Sequence, residues 1–194
     1  MIAGLYDLFQ ERWVSSKGGT VWLYSDPHFG DKELAAGVPG RPSDEEQIKM
    51  INSKVGKKDV LIILGDVGDV ECAKKLKGYK VLIMGNHDAG KTNYKEAFDE
   101  IYEGALMIGE KLILSHEPIE IPFALNLHGH VHDRRAKSDD HHINLCSDII
   151  GYMPVNFNQL MKSGPTSKIE TIHRVTIDKA TKRKKDKKLR QARL

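Results

Sequence analysis

Five short apolar runs in this chain each stop at a polar residue able to hold a metal ion, and that recurrence limits the folds open to it. Thr20 to Ser25 is followed by Asp26-Pro27-His28, and Val60 to Leu64 by Gly65-Asp66 with Asp69 just beyond. Lys80 to Met84 runs into Gly85-Asn86-His87-Asp88, and Leu112 to Leu114 into Ser115-His116. Leu125 to Leu127 runs into His128, then Gly129-His130-Val131-His132. Runs this short and this rich in Val, Ile and Leu read as buried strands. Glycine beside several of them lets the backbone turn sharply. In α/β sheets, ligands gather outside the carboxyl ends of the strands. The pattern therefore predicts one site assembled from distant segments.

Helical patterns alternate with these strands, which is an α/β signature. Ser43 to Val55 reads as a helix opened by Pro42 and a Ser43-x-x-Glu46 capping box, with Ile48, Ile51 and Val55 on its apolar face. Val70 to Leu76 and Tyr94 to Tyr102 read as further helices, and Phe157 to Lys162 as a short one. Ile143 to Cys146 and Ile169 to Ile177 read as late strands. Met1 to Val14 carries Asp7, Glu11 and Arg12 among apolar residues, so it reads as an amphipathic helix rather than a signal peptide. Residues 30–42 form a Gly/Pro-containing loop placed to border the site.

At 194 residues, with no repeat and no Pro/Gly/Ser linker, the chain suits one domain. Its longest aliphatic run, Val60 to Leu64, is too short to span a bilayer, so no membrane partner is expected. Cys72 and Cys146 stand far apart in no paired spacing, which suits a reducing compartment and a cytoplasmic protein. The net charge of +3 hides an asymmetry. Lys179 to Leu194 holds nine Lys or Arg and one acid, or +8, so residues 1–178 sum to 3 − 8 = −5. The expected division is a domain over 1–178 and a basic tail over 179–194. The tail reads either as an electrostatic grip on nucleic acid or as a solvated charged end.

Asp and His are the usual ligands of borderline divalent metals such as Mn, Fe and Zn. Two cations roughly 3.5–4 Å apart repel one another and need an anion between them. Asp66, on a glycine turn after the most apolar strand, is the best candidate for that bridging carboxylate. With Asp26 it supplies −2 against the +4 of two divalent ions, and the surplus suits a phosphate ester and a metal-bridging hydroxide. Metal binding lowers the pKa of water from 15.7 to about 7, on the order of 12 kcal/mol of help in making the nucleophile. His128 is expected inside its strand, His173 in a late strand, and His141 and His142 at the surface.

Taken together, Asp26-x-His28, Gly65-Asp66-x-x-Asp69, Gly85-Asn86-His87-Asp88, His116 and Gly129-His130-x-His132 resemble the calcineurin-like metallophosphoesterases. The surrounding Arg41-Pro42, Asn52, Leu64-Gly65-Asp66-Val67-Gly68 and Pro154-Val155 look like the small bacterial and phage-encoded members. The resemblance implies a four-layer α/β/β/α sandwich of two mixed sheets, with the metal site at the strand C-terminal ends. It implies a first metal on Asp26, His28, Asp66 and His132, and a second on Asp66, Asn86, His116 and His130. His87 is implied as a general acid rather than a ligand, oriented by Asp69, with Asp88 either sharing that task or capping the turn. Val70 stands where the protein-phosphatase branch has a phosphate-binding arginine. Arg41 is the candidate replacement for that contact.

The expected function is a binuclear metal-dependent phosphoesterase acting on phosphodiesters or phosphomonoesters of small nucleotide-like molecules. Manganese is the expected metal, with iron, zinc, nickel or magnesium as alternatives. A nuclease or RNA-end phosphatase using the basic tail is the second reading, and a non-catalytic scaffold of the same fold the third.

Overall fold

The computed structural model describes residues 13, 19–88, 93–133, 138–170, 176–177 and 179–184. In chain order the elements are β1 (Val21–Tyr24), α1 (Lys32–Gly37), α2 (Asp44–Lys54), β2 (Val60–Ile63), α3 (Val70–Lys74) and β3 (Tyr79–Ile83). A 3₁₀ turn (Tyr94–Glu96) leads to β4 (Glu100–Tyr102), β5 (Leu106–Met107), β6 (Leu112–Leu114) and β7 (Leu125–His128). β8 (His142–Asn144), β9 (Val155–Asn156) and α4 (Phe157–Lys162) complete the described elements.

The strands form two mixed sheets, one ordered β4-β3-β2-β1-β9 and the other β5-β6-β7-β8. β1 to β4 run parallel and β9 returns antiparallel against β1. β6, β7 and β8 are parallel, and β5 is antiparallel to β6. Because successive strand residues face opposite ways, the apolar runs supply two cores. Val21, Leu23, Val60, Ile62, Val81 and Ile83 point between the sheets, against Leu106, Leu112, Leu114, Leu125 and Leu127. Tyr24, Leu61, Ile63 and Leu82 point the other way, against Ile48 and Ile51 of α2 and Ala73 of α3. Full burial of each such aliphatic side chain contributes roughly 1.5–3 kcal/mol. All four residues of β2 are buried, as a central parallel strand covered on both faces requires. The architecture is the expected α/β sandwich of two mixed sheets.

Helix α2 begins where its sequence directs. Ser43 Oγ accepts from the Glu46 amide, and Glu46 Oε2 accepts from the Ser43 amide at 2.9 Å. Two expectations are corrected. Residues 30–42 are not loop throughout: α1 occupies Lys32–Gly37, capped by Asp31, whose Oδ1 accepts from Leu34 N at 2.8 Å. Tyr94 to Tyr102 is not one helix. A single 3₁₀ turn buries Tyr94, Ala97 and Phe98, and then β3 captures residues 100–102 as an edge strand. Of the expected strand Ile169 to Ile177, residues 176–177 are helical and 171–175 lie outside the described residues. Of Met1 to Val14, only Trp13 is described, buried in the inter-sheet core. No helix among the described residues is long and apolar enough to cross a membrane.

Candidate metal centre

The parallel strands end at one edge, and the loops that leave them are zipped together. Asp26 N donates to Gly65 O at 3.1 Å, His28 N to Asp66 O at 3.0 Å, and Phe29 N to Val67 O at 2.9 Å. Ser25 forms a parallel bridge to Cys146, which brings the ends of the two sheets together. In these loops Asp26, His28, Asp66 and His130 all adopt positive φ, at 56°, 46°, 52° and 65°. Non-glycine residues there cost on the order of 1–3 kcal/mol each and persist only where the surroundings over-determine them. Here they do. His130 N donates to both oxygens of Asp26, at 3.1 and 2.9 Å. The Asp88 carboxylate accepts from Asp66 N at 2.8 Å, Val67 N at 2.9 Å and Gly85 N at 2.8 Å. Two glycines keep the floor clear. A Cβ on Gly85 would lie 2.2 Å from Asp66 Oδ1, and one on Gly129 would lie 2.3 Å from Asp26 Oδ2.

The donor atoms form contiguous groups of Asp26, His28 and Asp66; Asp66, His116 and His130; and Asp26, His132 and Cys146. Asp66 Oδ2 lies 3.5 Å from His28 Nε2 and 3.3 Å from His116 Nε2. Asn86 Oδ1 lies 2.8 Å from His116 Nε2 and 3.1 Å from His130 Nδ1. His132 Nε2 lies 3.6 Å from Asp26 Oδ1. The seven residues expected as ligands thus stand side by side.

The electrostatics fit a cation. Burial raises the Asp26 carboxyl above its ordinary range. Burial also lowers His28 to about 4, overcoming the pull of the Asp66 carboxylate. His28 is therefore neutral at pH 7, and its buried Nε2 has no hydrogen-bond partner. A buried polar atom without a partner is costly, and a divalent ion held with the two neighbouring carboxylates would give it one.

Other expected site residues sit differently. His87 is 69% exposed at the rim, its amide donating to Asp66 Oδ1 at 3.0 Å and its Nε2 lying 4.0 Å from Asp66 Oδ2. Asp69 does not orient it. Its carboxylate caps α3, accepting from Glu71 N at 2.8 Å, and no hydrogen bond or ion pair joins it to His87. Asp88 caps the turn instead of reaching His87. Arg41 is not an open phosphate contact. Its side chain is 2% exposed and spends its guanidinium on Asp148 and on the backbone carbonyls of Asp26 and Pro27. His128 lies within β7, buried, as expected, while His142 lies at the start of β8 rather than fully at the surface. Sequence reasoning missed Asp148, whose Oδ2 accepts from His132 Nδ1 at 2.6 Å, and Cys146, whose Sγ lies 3.4 Å from the same nitrogen. Neither carries a local motif, and both reach the site by long-range folding.

No family model matches the chain. Over 88 residues the chain is 33% identical to the Gene 66 protein of Mycobacterium phage D29, a match covering 40% of this chain and 44% of the phage protein. The chain thus spans less than half the length of that relative. Among solved structures, the fold is similar to the protein of unknown function AQ665 from Aquifex aeolicus, with a TM-score of 0.64 and 27% identity. That similarity covers 74% of this chain and 98% of AQ665. The nuclease MPE of Pseudomonas putida aligns at a TM-score of 0.43 and 23% identity, covering 58% of this chain and 61% of the nuclease. The likeness to AQ665 shows that the two-sheet fold is shared almost from end to end of that protein.

Proposed function

We propose that the chain is a metal-dependent hydrolase of phosphoric esters, acting on phosphodiesters or phosphomonoesters of small nucleotide-like molecules. One observation carries the reading: the donor groups Asp26–His28–Asp66 and Asp66–His116–His130 share the carboxylate of Asp66. A carboxylate common to two donor clusters is what two neighbouring cations require. In this reading a first ion takes Asp26, His28, Asp66 and His132, and a second takes Asp66, Asn86, His116 and His130. Imidazole, carboxylate and one amide oxygen suit manganese, with iron, zinc, nickel or magnesium as alternatives. Such ions, when bound, lower the pKa of water and offset negative charge on phosphoryl oxygens.

The chain's own residues have separate tasks. Asp26 and Asp66 supply the negative charge that holds both sites. His87, tethered through its amide to Asp66 Oδ1 with its ring exposed at the rim beside that of His28, gives its proton to the leaving oxygen. Residues 1–178 form the hydrolase domain and 179–194 an appended basic tail. The nine basic residues of that tail against one acid favour a second reading, a nuclease or RNA-end phosphatase.

The deciding experiment is a turnover panel with added Mn²⁺. It sets aryl phosphate mono- and diesters, 2′,3′- and 3′,5′-cyclic nucleotides, RNA and DNA side by side. Turnover of a small nucleotide ester, abolished by chelation, is expected to exceed that of either polymer. Preference for a polymer selects the second reading. Two bound ions with no turnover of any ester would leave a metal-binding scaffold.

A further inference from the structure

The carboxylate of Asp148 belongs to neither proposed ion, yet its side chain is 1% exposed and heavily engaged. Its Oδ2 accepts from His132 Nδ1 at 2.6 Å, and its Oδ1 accepts from the Tyr152 hydroxyl. Both oxygens accept from Arg41 Nη1, at 3.0 and 2.9 Å. The other arm of Arg41, Nη2, donates to Asp26 O at 3.1 Å and Pro27 O at 2.7 Å. Ser147 Oγ adds a further bond to Asp26 O at 2.8 Å. Asp148 therefore touches His132 directly and reaches the Asp26 loop through Arg41. Tyr152 itself sits at φ 60°, a conformation kept only where its surroundings demand it.

A neutral imidazole carries its proton on one nitrogen and its lone pair on the other. An ionised carboxylate can only accept, so Asp148 fixes the His132 proton on Nδ1. The lone pair then lies on Nε2, which faces Asp26 Oδ1 at 3.6 Å. A carboxylate on the far nitrogen also makes the facing one a stronger donor. We propose that Asp148 is a positioning residue: it sets the tautomer and aim of His132 for a divalent ion, and through Arg41 holds the Asp26 loop in register with it. The inference rests on reading His132 as a ligand under the proposed function. The competing account is structural, with Asp148 serving only to neutralise the buried Arg41.

The test compares wild type, Asp148→Asn, and Arg41→Met combined with Asp148→Asn. The double variant removes both buried charges, so it avoids leaving the Arg41 cation without a partner. Two readings are taken on the whole chain. Ring ¹⁵N shifts of the metal-free protein at alkaline pH, where the ring is neutral, report the His132 tautomer. Calorimetric titration with Mn²⁺ reports the affinity of each ion. The expected results are an Nδ1–H ring in wild type, and variants in which one ion binds roughly 10–100-fold more weakly while the other is little changed. An Nε2–H ring in wild type, or a folded double variant that binds both ions as tightly as wild type, would overturn the proposal. If the single variant fails to fold, the double variant and the wild-type spectrum still decide. A wild type that binds no Mn²⁺ at all would instead sink the metal reading of the site, whatever the ring spectrum shows.

Discussion

Asp66 Oδ2 lies 3.3 Å from His116 Nε2, so in the metal-free protein these two groups hold each other in their charged forms. Burial works against the His116 cation, but Asp66, Asp26 and the Leu64 carbonyl more than offset it and raise His116 to about 9. Burial likewise pushes Asp66 up, yet the bonds from His116 and from the His87 amide bring it below the ordinary carboxylate range. Because the folded pKa of His116 lies above its unfolded value of about 6.5, the stabilisation is fully present below that pH. It is lost as pH rises through about 9.

A metal ligand must be neutral imidazole, so an ion has to displace that proton. Mn²⁺ binding near pH 7 is expected to release about one proton for His116. Calorimetry in buffers of different ionisation enthalpy checks this, since proton release makes the apparent binding enthalpy depend on the buffer. The metal-free protein should also lose thermal stability between about pH 6.5 and 9, a loss that saturating Mn²⁺ reverses. An identical binding enthalpy in every buffer would contradict a protonated His116.

Asp66→Asn should release both ions more readily than any other single ligand change, because Asp66 alone belongs to both the His28 and the His116 donor groups. Metal analysis after dialysis provides the check. One ion per wild-type chain at saturating Mn²⁺ would count decisively against the two-ion site.

Gly129 tests how tightly the floor of the site is packed. A Cβ there would lie 1.8 Å from Ser25 Oγ and 2.3 Å from Asp26 Oδ2. Ser25 has little freedom to move aside, since its hydroxyl donates to Leu64 O at 2.5 Å. Gly129→Ala should therefore cost about 1–3 kcal/mol, with a fall of roughly 2–4 °C in Tm for each kcal/mol, and should weaken Mn²⁺ binding. Gly109→Ala, where a Cβ meets nothing within 4 Å, is the control and should change neither. Equal Tm values for the two variants would show that the floor can yield.

The parts of the site legible in the sequence are those written locally. A strand that stops at Gly-Asp or Gly-Asn-His-Asp declares its candidate ligand in consecutive residues, and the capping box that opens α2 spans only Ser43 to Glu46. The parts that were not legible depend on partners far along the chain. Arg41 binds Asp148 across 107 residues and His132 binds Asp148 across 16. Nothing near Arg41 reveals that its guanidinium will be buried, so it reads as a loop cation facing substrate. The Tyr94 to Tyr102 segment misleads for a related reason. Its apolar spacing is helical, and Tyr94, Ala97 and Phe98 do pack as one turn. Pairing of Glu100 with Val81 at the edge of β3 then wins over helix propagation.

Removal of Lys179 to Leu194 should leave turnover of small esters nearly unchanged, because none of the proposed ligands lies in that segment. Residues 179–184 are helical and exposed. If the tail grips nucleic acid, its loss should weaken RNA or DNA binding and flatten the dependence of affinity on salt. Binding isotherms at several salt concentrations decide. Equal affinity and equal slope with and without the tail would remove the nucleic-acid role.

His87 separates proton chemistry from metal chemistry. It stands between Asn86, a proposed ligand, and Asp88, so its place in the sequence fits one more ligand equally well. Its geometry does not: the ring is 69% exposed, its Nε2 is 4.0 Å from Asp66 Oδ2, and it belongs to none of the donor groups. General acid catalysis is worth roughly 10²–10⁴ in rate, or about 2.7–5.4 kcal/mol. That help matters most for a poor leaving group such as a ribose alkoxide, and little for a nitrophenolate, which departs without a proton. His87→Asn should therefore keep both ions and lose far more activity on nucleotide esters than on nitrophenyl esters. His130→Asn, which removes a member of the Asp66–His116–His130 group, should lose metal and depress both substrates together. Metal content and the two rates, measured on both variants, settle the assignment: matching metal loss and matching substrate profiles would make His87 a ligand and leave the leaving group without its proton donor.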